Sequence, residues 1–190
     1  LAEWIAFLGR PQIPQAASRL VNLAARAQVG TGASVLIPGF VIAPGASKNV
    51  LVRAIGPTLA TAPFNVPGVL ADPVLTLLGP NSTSTVAAAN DNWAAGDGAR
   101  FAAVGAFALP PGSRDAAIVA LLAPGAYTAQ VTGAAAGGAA TGVALVEIYD
   151  VDPATASAGA RLVKTSVRAQ VGTGANILIT GLVVSDGAPK

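Results

Sequence analysis

The sequence predicts an all-β chain of short antiparallel strands, and three observations predict it. A segment whose apolar residues recur at every second position occurs twice. Turn residues, Gly with Pro or Asn, punctuate the chain between short runs of Val, Leu, Ile, Ala and Thr. The composition is 53 % hydrophobic with 5 % aromatic and 11 % charged residues, the opposite of what disorder requires.

The duplicated segment organises the rest. Residues 19–48 read RLVNLAARAQVGTGASVLIPGFVIAPGASK and residues 161–190 read RLVKTSVRAQVGTGANILITGLVVSDGAPK, 142 positions apart without a gap. About 60 % of the positions are identical, RAQVGTGA is unchanged, and most other pairs are conservative, such as Val35/Ile177 and Phe40/Leu182. Such self-similarity marks an internal repeat. The chain therefore divides into an N-terminal extension (1–18), one whole repeat (19–152), a small-residue linker (153–160) and a second copy of the opening segment (161–190).

The extension has two readings. Leu1, Trp4, Ile5 and Leu8 fit helical spacing, whereas the repeat offset sets LAEWIAFLGRP opposite VALVEIYDVDP and makes it a strand. The strand reading is preferred, as the last strand of a preceding domain or one lent to a neighbour.

Residues 19–42 read as a hairpin. Val21, Leu23, Ala25, Ala27 and Val29 alternate with Asn22, Arg26 and Gln28, and the second copy keeps the pattern except at Thr165. Gly30-Thr31-Gly32 supplies a tight connection, and the return strand 35–42 is apolar on both faces. Arg26 is read as an outward strand residue in solvent, not a ligand-binding group. Strands are further expected over 48–55, 74–78, 85–89, 101–109, 116–122, 127–132 and 143–150. Between them lie an irregular Pro-rich loop (58–73), the turn Gly79-Pro80-Asn81, an Asn90-Asp91-Asn92-Trp93 segment and a Gly/Ala tip (133–141).

Part of this order resembles a known family. DPVLTLLGPNSTSTVAAANDNW, then DAAIVALLAPGAYTAQVTG, then TGVALVEIYD is similar to the bacterial pre-peptidase C-terminal domain. The matching positions are Asp72, Leu75 and Leu77, Ala89 to Asp91, Pro124 to Val131 and Val143 to Tyr149, under half of the chain. The resemblance implies a jelly-roll-like antiparallel β-sandwich of an extracellular protein, with terminal segments available for strand exchange or the next repeat. The front part, 19–57, departs from that family. The whole repeat also resembles uncharacterised modules of large bacterial surface proteins.

Several function classes are excluded or weakened. No Cys and no His are present, which removes thiolate chemistry and the commonest general base and metal ligand. No GxGxxG occurs, and the nine acids form no dyad motif, so the chain does not read as an enzyme. A net charge of +2 without a basic run argues against a nucleic-acid partner. No apolar run is long enough for a membrane span. The absence of Met and the start at Leu1 read as a processed chain or a segment of a longer one. Few charges among many small residues suit an exported bacterial protein, which places the chain outside the cell or on its surface.

Asn90, Asp91, Asn92 and Asp97 are the candidate Ca²⁺ ligands, since hard oxygens gathered on one loop are what that ion takes, and some relatives of the resembled family bind Ca²⁺ in comparable loops. The competing reading is a set of side-chain-capped turns, and it is favoured. No other cofactor is expected. Trp93 reads as a core plug ahead of a sugar-stacking platform, and Asn81-Ser82-Thr83 fits a glycosylation sequon.

The remaining feature is the second copy itself. Thirty residues with ten large aliphatics bury too little to hold a fold alone, so the segment needs a partner sheet. Its interface residues are expected to be Val163, Val167, Val171, Ile177, Ile179 and Val183, with Trp4 and Ile5 from the extension. The expectation is a structural repeat of an extracellular fibre or array, joined head to tail with copies of itself by strand complementation. The competing class is a carbohydrate- or protein-binding accessory module of a secreted enzyme or adhesin.

Overall fold

The computed structural model describes residues 19–134, 140–152 and 161–185. The extension with Trp4 and Ile5, the linker 153–160 and most of the Gly/Ala tip lie outside the described residues.

The chain is all-β and antiparallel, with one short helix. Its strands are β1 (Arg19–Val29), β2 (Ile37–Ile42), β3 (Lys48–Ile55), β4 (Pro73–Leu78), β5 (Val86–Asn90), β6 (Ala116–Leu122), β7 (Gly125–Gly133), β8 (Gly142–Asp150), β9 (Leu162–Arg168) and β10 (Ile179–Ser185). They form two five-stranded ladders, β10-β1-β8-β3-β6 and β9-β2-β7-β4-β5. At one side the ladders meet through the bridges Leu20 to Leu162 and Gln28 to Gln170. At the other the backbone N–H of Ala117 on β6 donates to Asn90 Oδ1 on β5 at 2.9 Å. The result is a nearly closed sheet around one core.

Alternation explains the inner face. Leu23, Ala25, Ala27 and Val29 of β1 are buried, as the period-two pattern requires. They meet Phe40 and Ile42 of β2, Leu75 and Leu77 of β4, Ala129 and Val131 of β7 and Val146 and Ile148 of β8. Phe40 and Tyr127, directly opposite on β2 and β7, stack with ring centroids 5.4 Å apart. A second core covers the outer face of β3, β6 and β8, where Leu51, Ile55, Ala117 and Tyr149 pack under Leu59, Phe101 and Leu109. Strand β3 is therefore buried on both faces from Val50 to Ile55, which is why VLV and AI in NVLVRAI are apolar without alternation.

Two expectations are corrected. Phe101 to Leu109 is not a strand: Gly98–Ala103 forms the helix α1, and 104–109 continue as a turn and extended chain. Ala-rich ARFAA favours helix, and Gly105 at φ +72° stops it in the left-handed conformation a C-terminal cap uses. Phe101 is then the plug that seals the second core.

The other correction concerns the duplicated segment. Among the described residues β1 and β2 do not pair with each other, so 19–42 is an arch rather than a hairpin: β1 belongs to one ladder and β2 to the other. The connection turns at a 3-10 helix, Gly32–Ser34, where the N–H of Gly30 donates to Ser34 O at 2.9 Å. A β-carbon on Gly30 would lie 2.7 Å from that of Ser34, so the turn needs glycine there. The second copy repeats the device, with Gly172 N–H donating to Asn176 O at 2.9 Å and Gly172 equally crowded by Asn176.

Candidate joining surface and buried polar clusters

The two arches pair by mutual exchange. Strand β10 of the second arch lies antiparallel on β1, and β9 lies antiparallel on β2. Leu23 faces Leu182, while Phe40, the counterpart of Leu182, faces Thr165, the counterpart of Leu23. Every β2–β9 pair is related in this way to a β1–β10 pair, including the irregularity beside Leu20 and its counterpart beside Ile42. The bridges Leu20–Leu162 and Gln28–Gln170 each join a residue to its own counterpart. The two arches are thus related by a pseudo-two-fold axis.

What differs is their cover. On its far side β1 is paired with β8, and β2 with β7. The pairings of β9 and β10 within the described residues are those to the first arch. Hence Phe40 is 2 % exposed and Leu182 62 %, Ile42 1 % and Val184 55 %, Val29 0 % and Val171 65 %. Gly39 is walled in by Ser166 and the carbonyl of Tyr127, whereas around its counterpart Gly181 the space is open. Of the interface residues expected from the sequence, Val163, Val171, Ile177, Ile179 and Val183 are exposed, and Val167 is partly buried against the core.

Two of the candidate Ca²⁺ residues, Asn90 and Asp97, are engaged by other partners. Asn90 Oδ1 accepts from Ala117, its Nδ2 donates to Asn92 O at 2.9 Å, and Asp97 is ion-paired with Arg100 at 2.9 Å. Asp91 and Asn92 are exposed, and no cluster of three metal-ligating acids occurs among the described residues. Asn90 instead fastens β5 to β6. Asn90→Ala should lower unfolding stability by about 1–2 kcal/mol, because Ala117 N–H loses its acceptor. Urea denaturation measures it, and an unchanged midpoint would contradict that role. Trp93 is a plug: its ring lies 5.5 Å from Phe101, and Nε1 donates to Ser113 Oγ at 3.0 Å. Arg26 is half-buried on β1.

Three buried polar clusters escaped the sequence reading. Arg53 on β3 is fully buried opposite Glu147 on β8, donating from Nε at 3.0 Å and from Nη2 at 2.5 Å to Glu147 Oε2. Its Nη1 donates to Phe107 O at 2.6 Å, and Tyr149 Oη donates to Glu147 Oε1 at 2.9 Å. The guanidinium also lies over the Phe107 and Phe101 rings, 4.5 and 5.0 Å from their centroids. One charged residue inside each of two apolar strands, NVLVRAI and VALVEIYD, was the available signal. In the second cluster, Asp115 accepts from Gly56 N–H at 2.8 Å, Thr58 N–H at 3.4 Å, the Thr58 hydroxyl, and the Ser113 hydroxyl at 2.7 Å. The third holds Lys48 Nζ between Asp150 at 2.7 Å and Asp152 at 3.0 Å, with Arg19 beside them at 3.8 Å from Asp150. Burial opposes ionisation of Asp152, but hydrogen bonds from Asn49 and Lys48 outweigh it and hold its carboxyl below the usual range.

Burial, then the repulsion of the Glu147 carboxylate and the hydrogen bond donated to it, push the Tyr149 hydroxyl well above its ordinary range. The unfolded chain ionises tyrosine at about pH 10, so this contribution is complete below about pH 10 and falls as pH rises further. Denaturation midpoints measured from about pH 9 to 11 should decline, and less so in Tyr149→Phe. An equal decline in both proteins would contradict the assignment.

An open groove of about 690 Å³ lies between the arches and α1, lined by Arg19, Asn22, Tyr149, Asp150, Asp152 and Val183 among others. The three clusters tie separate elements of the fold together. They fasten strands: Arg53–Glu147 joins β3 to β8, Asp115 ties the 56–58 turn to the 113–115 turn, and Lys48 ties β3 to the end of β8. The surface left unfinished is the outer side of the second arch. No family model, curated protein or solved structure matches this chain.

Proposed function

We propose that the chain is a structural repeat of an extracellular bacterial fibre or surface array, and that the duplicated arch is its joining device. The observation that carries the reading is the unequal cover of two near-identical arches. The first is built into a finished core, and the second presents the same aliphatic strands with no further strand paired to its far flank among the described residues. Bare strand edges beside exposed Val and Ile are adhesive surfaces, and folded proteins keep them only where something docks. Low charge and small side chains suit close packing of one repeat against the next. The role asks for no catalytic residue and no resident cofactor, and a long-lived scaffold accords with polar groups spent on fastening strands.

Negative-stain imaging of native material, beside its denaturing mass, tests this. Fibres or ordered arrays are expected, and assembly should be lost when residues 161–190 are deleted. Discrete particles in native material would overturn the reading and favour a ligand-binding accessory module. Assembly that survives the deletion would remove the arch from the joining role.

A further inference from the structure

The exchange register says what fits the bare flank. The far edge of β9 is the counterpart of the β1 edge that carries β8, and the far edge of β10 is the counterpart of the β2 edge that carries β7. We infer that these edges seat a second body built like residues 48–152, with its β8-like strand on β9 and its β7-like strand on β10. Two repeats then close back to back about the axis through Leu20/Leu162 and Gln28/Gln170. The register follows from the first repeat. Ala25 faces Val146 there, so Val167 faces the second body's counterpart of Val146. Phe40 faces Tyr127, so Leu182 faces the counterpart of Tyr127.

Four features favour this occupant over another partner. The strand edges are extended, antiparallel and already in register with the first arch. The exposed side chains, Leu182, Val184 and Val171, are those whose counterparts a body buries. Arg161 preserves the cation that, as Arg19, sits 3.8 Å from Asp150 where β1 meets the end of β8. The fourth is stoichiometry. These 190 residues hold two arches and one body, so a second copy of them cannot supply a body without uncovering its own first arch. In the first repeat the body follows its arch, so the occupant we infer is a further body of that build, placed after the second arch as the repeat order has it.

This deepens the proposed function by naming what the joining surface holds, and it makes the join symmetric, so repeats associate in closed pairs. A pair closed in this way is the unit from which the array is built, so loss of the second arch removes the unit and the array with it.

The test extends the full chain beyond Lys190 with a second copy of residues 49–152. The sequence contains no Cys, so introduced pairs report cleanly. Gln28→Cys with Gln170→Cys reports arch on arch. Val167→Cys with Val146→Cys in the second body reports the new join, and Ala25→Cys with Val146→Cys in the first body is the control. Both reporting pairs should oxidise to near completion within single chains, and binding of an apolar dye should fall several-fold against the 190-residue chain. Only the arch pair closing would mean that the edge rejects the body. Only the body pair closing would mean that the arches part and the repeats are independent beads. Either result overturns the inference, as does an extended chain that fails to fold or that keeps its dye binding. Edge-amide hydrogen exchange in the unsubstituted extended chain gives a second reading, with β9 and β10 expected to become as protected as β1 and β2. The disulfide pattern is independent of the cell surface. Native material without fibres would leave it standing, and a failed pattern would leave the imaging result untouched.

Discussion

Replacing Arg53 by Met should destabilise the chain by about 3–5 kcal/mol, the largest effect expected of any single side chain here. Arg53 and Glu147 lie side by side on β3 and β8 with no solvent contact for the guanidinium. Removing the cation leaves the Glu147 carboxylate buried with only the Tyr149 hydroxyl to face it, and leaves Phe107 O without its donor. A stranded buried charge costs far more than the pair contributes, because its desolvation is no longer compensated. Arg53→Met combined with Glu147→Leu removes both charges and should recover much of the loss. Thermal unfolding gives the readout, a fall of roughly 10 °C for the single variant at about 2–4 °C per kcal/mol. A loss below about 1 kcal/mol, or a double variant worse than the sum of its parts, would show that the pair is not held as described.

Asp115→Ala should cost roughly 3–4 kcal/mol through a different route. The carboxylate is the shared acceptor for the Gly56 and Thr58 amides and the Thr58 and Ser113 hydroxyls, and it is fully buried. Alanine leaves the buried Gly56 and Thr58 donors, and the partly buried Ser113 hydroxyl, without that acceptor. Asp115→Asn keeps an acceptor at Oδ1, and the two hydroxyls can rotate to accept from the new amide, so its cost should be about half. Ser113 also receives the Trp93 indole N–H, so loss of Asp115 should shift tryptophan emission to the red. Equal destabilisation by Ala and Asn, with unchanged emission, would remove Asp115 from this role.

These buried polar groups show where sequence reasoning ran short. Alternation on β1 and the positive-φ glycine at each arch turn, Gly32 and Gly174, were legible, because period two and positive φ leave local marks. Strands β3, β4 and β6 to β8 were found within a residue or two for the same reason. Pairing left no such mark. An arch and a hairpin have the same alternation and the same turn, and differ only in which distant strand each arm meets. Helix α1 was missed because FAAVGAFAL is apolar enough for a strand. Its true role depends on a face of β3 that needs covering, which is a tertiary fact. The exposed face of the second arch was readable in part: Val163, Ile177 and Ile179 stand out from the repeat and are exposed, while the exchange of arches within one chain emerged only from register. Arg53 and Glu147 stood in plain view as lone charges in apolar strands, and only the pairing of β3 with β8 brings them together.

The central claim is that one arch is finished and its near-copy is finished on one side only. Residue-resolved hydrogen exchange on the 190-residue chain, at a dilution where its mass is that of one chain, tests it most directly. Along residues 22–26 of β1 and 39–42 of β2 the amides should be protected, because both neighbours are present. Along β9 and β10 protection should alternate, slow for amides turned toward the first arch and fast for those turned outward. Uniform protection of the second arch would mean that its flank is already covered within one chain. Uniformly fast exchange would mean that the second arch does not rest on the first, and the account of the joining surface would fall with it.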